Sequence, residues 1–250
     1  MNIQVASDFH IECFDNPDIQ DFIKPSADVL ILSGDIGSLY KFDQLIEFLK
    51  KLSSMYKKII YVPGNHEFYT LKDIPGVSFG ILLRRLYSLE DIIPNLIILN
   101  RKSIIMKDYC LIGCILWSNC PEDEEFPRYR VKIHGFNKNK YNKFNKEDIK
   151  YIESILRYCK SKNLKPIVIT HYPPTSELLN EKYKKEKFRY LYCNNLDDML
   201  TNNKIHTWIC GHVHWCFDKY SKNGTRLVGN QKGKSKDNIT NYSDKFIITL

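Results

Sequence analysis

Several signatures are missing from this 250-residue chain, and each absence removes a class of protein. No run of about 18 apolar residues occurs, so no transmembrane helix is expected. No C-x-x-C and no zinc-finger spacing appears among Cys13, Cys110, Cys114, Cys120, Cys159, Cys193, Cys210 and Cys216. That argues against a dithiol redox centre and against a finger. Cys110, Cys114 and Cys210 fall in apolar runs and read as reduced, small core residues. There is no internal repeat and no low-complexity linker, so a single domain over 1–250 is expected. A first strand opening at residue 2 or 3 and reaching Asp8 leaves no room for a signal or transit peptide, so a cytoplasmic protein is expected. The net charge of +8 is moderate. It fits an anionic substrate, though solubility alone also accounts for it.

What is present alternates between short apolar runs and amphipathic stretches. Strands are expected at 2–7, 28–33, 59–62, 96–99, 103–107, 109–116, 166–170 and 207–210. A hairpin of 214–220 and 225–229 would close through Asn223-Gly224 as a two-residue turn, and a last strand would end the chain at 245–250. Helices are expected near 17–24, 77–91, 146–160 and 194–201. Another is expected over 41–57, where Phe42, Leu45, Ile46, Leu49, Leu52 and Met55 have helical spacing. Segment 117–145 has no clear period and reads as a basic, aromatic insertion. Segment 231–243 is polar and reads as loose.

Five polar motifs follow these runs in order: Asp8-Phe9-His10, Gly34-Asp35, Gly64-Asn65-His66-Glu67, His171, and Gly211-His212-Val213-His214. A strand ending in a ligand-type side chain delivers it to the sheet edge, and in open α/β sheets ligands bind outside the carboxyl ends of the strands. Four His, two Asp and one Asn at those ends make a mixed N/O donor set, enough for two divalent ions.

The chain resembles the calcineurin-like metallophosphoesterase superfamily, whose D-x-H, G-D, G-N-H-[DE], H and G-H-x-H motifs are all intact. The opening MNIQVASDFHIE, GCILWSNC, PIVITHYPPTS and WICGHVHWCFDKYSKNGTRLVGNQKG look like a small bacterial and phage branch of it. One departure is visible. Asn230-Gln231-Lys232-Gly233-Lys234 stands where the branch has Asn-Pro-Arg/Lys-Gly-Tyr.

The resemblance implies a four-layer α/β/β/α sandwich of two mixed sheets, with a dinuclear metal site at one end. It implies that Asp8, His10, Asp35 and His214 hold one metal, and Asp35, Asn65, His171 and His212 the other. Asp35 would bridge ions roughly 3.5–4 Å apart, and a water held between them would attack phosphorus as hydroxide. Mn, Fe or Zn suits such ligands. His66, beside Asn65, is the candidate general acid. In the serine/threonine protein phosphatase branch an Asp of G-D-x-x-D-R-G orients this His. Here Gly34-Asp35-Ile36-Gly37-Ser38 lacks that Asp and its Arg, so the orienting group is open. Glu67 reads as structural, holding the turn.

The expected activity is a metal-dependent phosphodiesterase acting on a nucleotide or related small phosphodiester. A phosphomonoesterase, pyrophosphohydrolase or protein phosphatase on the same ligands is the alternative, and a non-catalytic scaffold is disfavoured because no ligand has eroded. Residues 128–150 carry eight Lys and Arg against two acids, with aromatics between them. This stretch is either a nucleic-acid contact, which would weaken steeply with salt, or a solvated surface. Tyr172 with Pro173-Pro174 could line the pocket or only make a rigid turn. His134 and His206 are expected to stay out of the site.

Overall fold

The computed structural model describes residues 1–250. The strands β1 (Asn2–Ala6), β2 (Val29–Ser33), β3 (Lys58–Val62) and β4 (Leu96–Ile98) run parallel. The last strand, β11 (Ile247–Thr249), pairs antiparallel to β1, so the first sheet has the order β11-β1-β2-β3-β4. The second sheet contains β5 (Lys102–Met106), β6 (Tyr109–Cys114), β7 (Lys165–Thr170), β8 (Thr207–Ile209), β9 (Phe217–Tyr220) and β10 (Arg226–Gly229). Its order is β5-β6-β7-β8-β10-β9, with β5 and β9 as antiparallel edges.

Successive strand side chains point to opposite faces. Ile3, Val5, Ile31, Ile60 and Val62 meet Leu111, Ile167, Ile169, Ile209 and Val228 in the layer between the sheets. Leu30, Leu32, Ile59 and Tyr61 face outward onto α1 (Phe42–Ser53) and α2 (Phe79–Ile92). Ile112, Val168 and Trp208 pack against α3 (Lys138–Lys162) and α5 (Asp197–Asn202). Both faces of each sheet are buried, which is why the central strands read as unbroken apolar runs rather than alternations. The result is a four-layer α/β/β/α sandwich. None of its helices is long and apolar enough to cross a membrane.

Several boundaries differ from the sequence expectation. The 17–24 helix is only a 3-10 turn at Ile19–Asp21; Pro17 and Pro25 bracket a stretch too short to propagate. The 223–224 turn is longer than two residues. Ser221 N–H donates to Thr225 O and Gly224 N–H to Ser221 O, with Gly224 at φ 83°. Segment 231–243 is not loose. The Asn230 amide donates to Val5 O and Ser243 O at 2.8 Å each, and Gln231 bridges to Ser7. A further helix, α4 (Glu181–Lys184), lies in a stretch that carried no apolar period.

The largest miss is α3, which starts at Lys138 rather than near 146. Its inward stripe is Tyr141, Asn145, Asp148, Ile152, Leu156 and Cys159, so an apolar-only period starts late. Asn137 caps it by accepting Lys140 N–H at 2.9 Å. Asn145 donates to Asn194 at 2.7 Å, and Asn194 donates to Leu116 O at 3.0 Å. Asn194 is thereby used up, and α5 begins at Asp197 instead of 194. Most aromatics of the 117–150 stretch turn inward: Phe136 and Tyr141 are buried, and Phe126 and Phe144 pack on the same cluster. They are not free to stack bases.

Burial pushes the Asp148 acid up to about 7, although Arg101 Nε lies 3.7 Å away. Its folded pKa exceeds the unfolded value, so its stabilising contribution is complete below about pH 4 and is lost as pH rises through about 7. Asp148→Asn is therefore expected to be more stable than the wild type at pH 8, by up to about 4 kcal/mol. The gap should narrow at pH 5. Urea unfolding at both pH values checks this, and an equal gap at both would contradict it.

Candidate metal centre

The strand register brings the candidate ligands level. Ala6 pairs with Leu32, Ser33 with Val62, and Ile169 with Ile209. The residues that follow these positions therefore emerge at one end of both sheets. Asp8, His10, Asp35, Asn65 and His171 are all buried there. Asp8, His10, Asp35, His212 and His214 adopt left-handed backbone angles, φ 48° to 75°. Such angles cost of order 1 kcal/mol or more for a non-glycine residue and cluster at functional sites. Gly34, at φ 91°, and Gly64 leave the space the site needs. A Cβ at the first would overlap the His171 ring, and at the second the Asp35 carboxylate.

Two donor groups share Asp35. Asp8, His10, Asp35 and His214 form one, and Asp35, His171 and His212 form the other. Asp35 Oδ2 lies 3.8 Å from His10 Nε2 and 3.3 Å from His171 Nε2, between the two groups. His214 Nε2 is 3.4 Å from Asp8 Oδ1 and 3.1 Å from His10 Nε2. On the other side His171 Nε2 is 3.0 Å from Asn65 Oδ1 and 3.2 Å from His212 Nδ1. All seven residues singled out as ligands are thus brought together.

Each imidazole has its outer nitrogen engaged. His10 Nδ1 donates to Glu12 at 3.1 Å, His171 Nδ1 to Ser33 O at 2.9 Å, His212 Nε2 to Leu191 O at 3.0 Å, and His214 Nδ1 to Asp237 at 2.6 Å. Such partners fix the tautomer and turn the other nitrogen inward. Burial lowers His10 to about 4, with His66 adding to the effect, and lowers His212 to about 3, with His171 adding. Both rings are therefore neutral, with inward lone pairs. Burial opposes charge on His171 and His214 too. There the carboxylates prevail: Asp35 lifts His171 to about 9, and Asp237 with Asp8 lifts His214 to about 9. Carboxylates that draw protons onto two buried rings also favour cations in their place. The donor set therefore fits two divalent ions of the Mn, Fe or Zn kind.

Glu67 anchors the turn beneath. It accepts N–H groups from Asp35 (3.1 Å), Ile36 (2.8 Å) and Gly64 (2.8 Å), and the Tyr61 hydroxyl at 2.5 Å. Burial and the neighbouring Asp35 push its acid up to about 8. Each of its oxygens faces two donors and neither faces an acceptor, so the pocket is built for the carboxylate.

His66 lies at the mouth. Its N–H donates to Asp35 Oδ1 at 2.8 Å, and its ring packs on Tyr69 with centroids 4.7 Å apart. Its Nε2 is 3.5 Å from Lys234 Nζ. The mouth opens into a cavity of about 390 Å³. Tyr69, Tyr129, Tyr141, Tyr172, Tyr183 and Tyr192 line it, along with Arg130, Lys132, Lys234 and Lys236. Tyr172 packs on His212 at 4.0 Å. His134 is absent from the lining, and His206 packs on Tyr109 at the opposite end of β8.

Sequence reasoning missed Glu12, Asp237 and Lys234. Glu12 had a signal, since it stands two residues after His10, just beyond the first motif. Asp237 and Lys234 lie in a polar stretch with no period. Within the segment that departs from the branch pattern, the Gln231 amide oxygen accepts His214 N–H at 2.7 Å. Lys232 instead packs on Phe22 and Tyr242, away from the cavity.

The family model described as calcineurin-like phosphoesterase matches residues 1–216, a span that contains both donor groups. The chain belongs to the calcineurin-like phosphoesterase family. It is accordingly a metallophosphoesterase, a hydrolase of phosphoester bonds, in a family that depends on a dinuclear metal centre. Uncharacterized protein L509 of Acanthamoeba polyphaga mimivirus is 31% identical over 277 aligned residues, covering 96% of this chain and 95% of the relative. The [acyl-carrier-protein] phosphodiesterase PptH of Mycobacterium tuberculosis is 34% identical over 76 residues, 30% of this chain and 23% of its own. The crystal structure of that phosphopantetheinyl hydrolase superposes with a TM-score of 0.71 at 16% identity, covering 94% of this chain and 90% of the other. A dimetal phosphatase from Danio rerio gives 0.57 at 11%, covering 92% and 86%. These two structures share the fold of this calcineurin-like chain.

Proposed function

We propose that the chain is a phosphodiesterase acting on a nucleotide or a related small phosphodiester. In this reading Asp8, His10, Asp35 and His214 hold one divalent ion, and Asp35, Asn65, His171 and His212 hold the other. Residues 1–250 form one metallophosphoesterase domain, with 117–145 as an insertion that supplies one cavity wall. The observation that carries the reading is the cavity lining: four tyrosines that are not buried, Tyr69, Tyr129, Tyr183 and Tyr192, and four cations beside the donor groups. Tyrosines suit stacking on a base, and ammonium and guanidinium groups suit the oxygens of a phosphate. The printed activity of the M. tuberculosis relative is also cleavage of a diester, which supports the diester half of the reading.

When bound, a pair of divalent ions lowers the pKa of water and neutralises charge developing on phosphate oxygens. The protein's own groups do the rest. Asp35 fixes the backbone of His66 against the donor groups. His66 Nε2 faces the cavity and gives a proton to the departing oxygen. Lys234, beside it, holds a phosphate oxygen. Lys234→Ala is expected to raise KM by about 10-fold or more, the worth of one charge-assisted hydrogen bond, with metal content unchanged. An unaltered KM would remove Lys234 from the binding site.

The test is hydrolysis of bis-p-nitrophenyl phosphate against p-nitrophenyl phosphate with Mn²⁺ present and a chelator control. Chelator-sensitive turnover favouring the diester is the expected result. A preference for the monoester would replace this reading by a phosphomonoesterase.

A further inference from the structure

We infer that Arg130 is a positioning residue that sets the cavity's preference for a substrate with a base: it holds Tyr192, stacked on Tyr183, as the platform for that base. This rests on the reading of the substrate as a nucleotide.

Arg130 comes from the 117–145 stretch and reaches across to the segment that carries Tyr183 and Tyr192. Its Nη1 donates to the Tyr192 hydroxyl at 2.9 Å, and its Nη2 to Glu186 Oε2 at 3.5 Å. The guanidinium lies over the Phe188 ring, 4.9 Å from the centroid. Its Nε is buried and has no hydrogen-bond partner. Two of its nitrogens are thus given to protein groups and the third is closed off. A buried N–H without an acceptor costs free energy, and such groups persist where they serve a function. The competing role is a direct contact with the phosphate, which the charge of the group also suits. The directions in which its nitrogens are used favour the hold on Tyr192.

What Arg130 holds is one member of a row of rings. Tyr183 and Tyr192 stack with centroids 4.4 Å and planes 31° apart. Tyr192 lies 5.9 Å from the His212 ring at 38°, and His212 lies 4.0 Å from Tyr172 at 35°. The row therefore passes through a candidate metal ligand and ends at Tyr183. At that end Asn180 accepts the Tyr183 N–H at 3.1 Å and caps α4. Beside Tyr192, the Leu191 carbonyl accepts from His212 at 3.0 Å. Tyr183 and Tyr192 both line the cavity and neither is buried. A nucleotide whose phosphate meets the donor groups can lay its base on this pair. Every base has a π-face, so the preference is for a base over none, rather than for one base over another.

The test compares the wild type with Arg130→Ala and Tyr192→Phe on two diesters, the p-nitrophenyl ester of thymidine 5′-phosphate and methyl p-nitrophenyl phosphate. The leaving group is the same in both, and only the first has a base. Bound metal is measured in each protein. The wild type should favour the thymidine ester in kcat/KM. Arg130→Ala is expected to lose about 10-fold of that preference, the worth of one stacked base, and to lose it through KM. Tyr192→Phe keeps the ring and loses only the hydroxyl that Arg130 holds. It should lose a few-fold in the same sense, and it carries the test alone if Arg130→Ala does not fold. Equal loss on both esters would overturn the inference and leave Arg130 as a phosphate contact. A preference that survives intact in Tyr192→Phe would overturn it too. A wild type that shows no preference would instead remove the nucleotide reading, and the platform with it. Inhibition of methyl ester hydrolysis gives a second readout. Thymidine 5′-monophosphate should inhibit Arg130→Ala about 10-fold more weakly than the wild type, and inorganic phosphate should lose much less. Equal weakening of both inhibitors would overturn the inference.

Discussion

Asp35→Asn is expected to remove nearly all turnover, about 10³-fold or more, together with much of the bound metal. The carboxylate stands between the two donor groups, 3.3 Å from His171 Nε2 and 3.8 Å from His10 Nε2 through one oxygen. Its other oxygen accepts the His66 N–H at 2.8 Å. An amide of the same shape supplies no negative charge to share between two cations. It also presents an NH₂ group toward donors on one side or the other. Losing one such ligand removes several kcal/mol of charge stabilisation, and each 1.36 kcal/mol is tenfold in rate. The fold should survive. The turn beneath is held by Glu67 through the backbone N–H groups of Asp35, Ile36 and Gly64. Metal content, circular dichroism and kcat on one preparation check this. A folded Asp35→Asn protein with full metal and a rate within tenfold of the wild type would remove Asp35 from the centre.

His66→Ala is expected to retain both ions and lose roughly 10²–10⁴ in kcat, the usual range for a positioned acid. The ring is not a member of either donor group that contains Asp35. Its contacts are Glu12, Tyr69, His10 and Lys234 around the cavity mouth. His66 forms a third cluster with Glu12 and the candidate ligand His10, but truncation leaves both groups that share Asp35 intact, so on the proposed reading only the proton donor is lost. Loss of metal in His66→Ala would show that the ring supports the ligands rather than the leaving group.

The parts of this fold that were legible were those where one rule acts alone. Strands buried on both faces show as apolar runs, and their ends mark Asp8, Asp35 and His171. Helix α1 kept a clean stripe, with Leu45, Phe48, Leu49 and Leu52 buried. The start of α3 was hidden because its inward face uses Asn145 and Asp148 as hydrogen-bonding core residues. The convergence of the candidate ligands was legible because metal chemistry restricts residue type and strand order restricts spacing. The residues behind them were not. Asp237 reaches His214 from a polar stretch, and the Leu191 carbonyl reaches His212 through its backbone. A carbonyl leaves no mark on residue type. Glu12 could have been found, since a carboxylate two residues after a ligand His in a tight turn can fold back on that ring.

The most direct test of the account is the number of divalent ions held per chain, counted by elemental analysis after Mn²⁺ loading and desalting, alongside diesterase turnover. Two ions per chain, with turnover rising as the pair fills and falling on chelation, is the expected result. Full turnover with no bound metal, or with the chelator present, would contradict it.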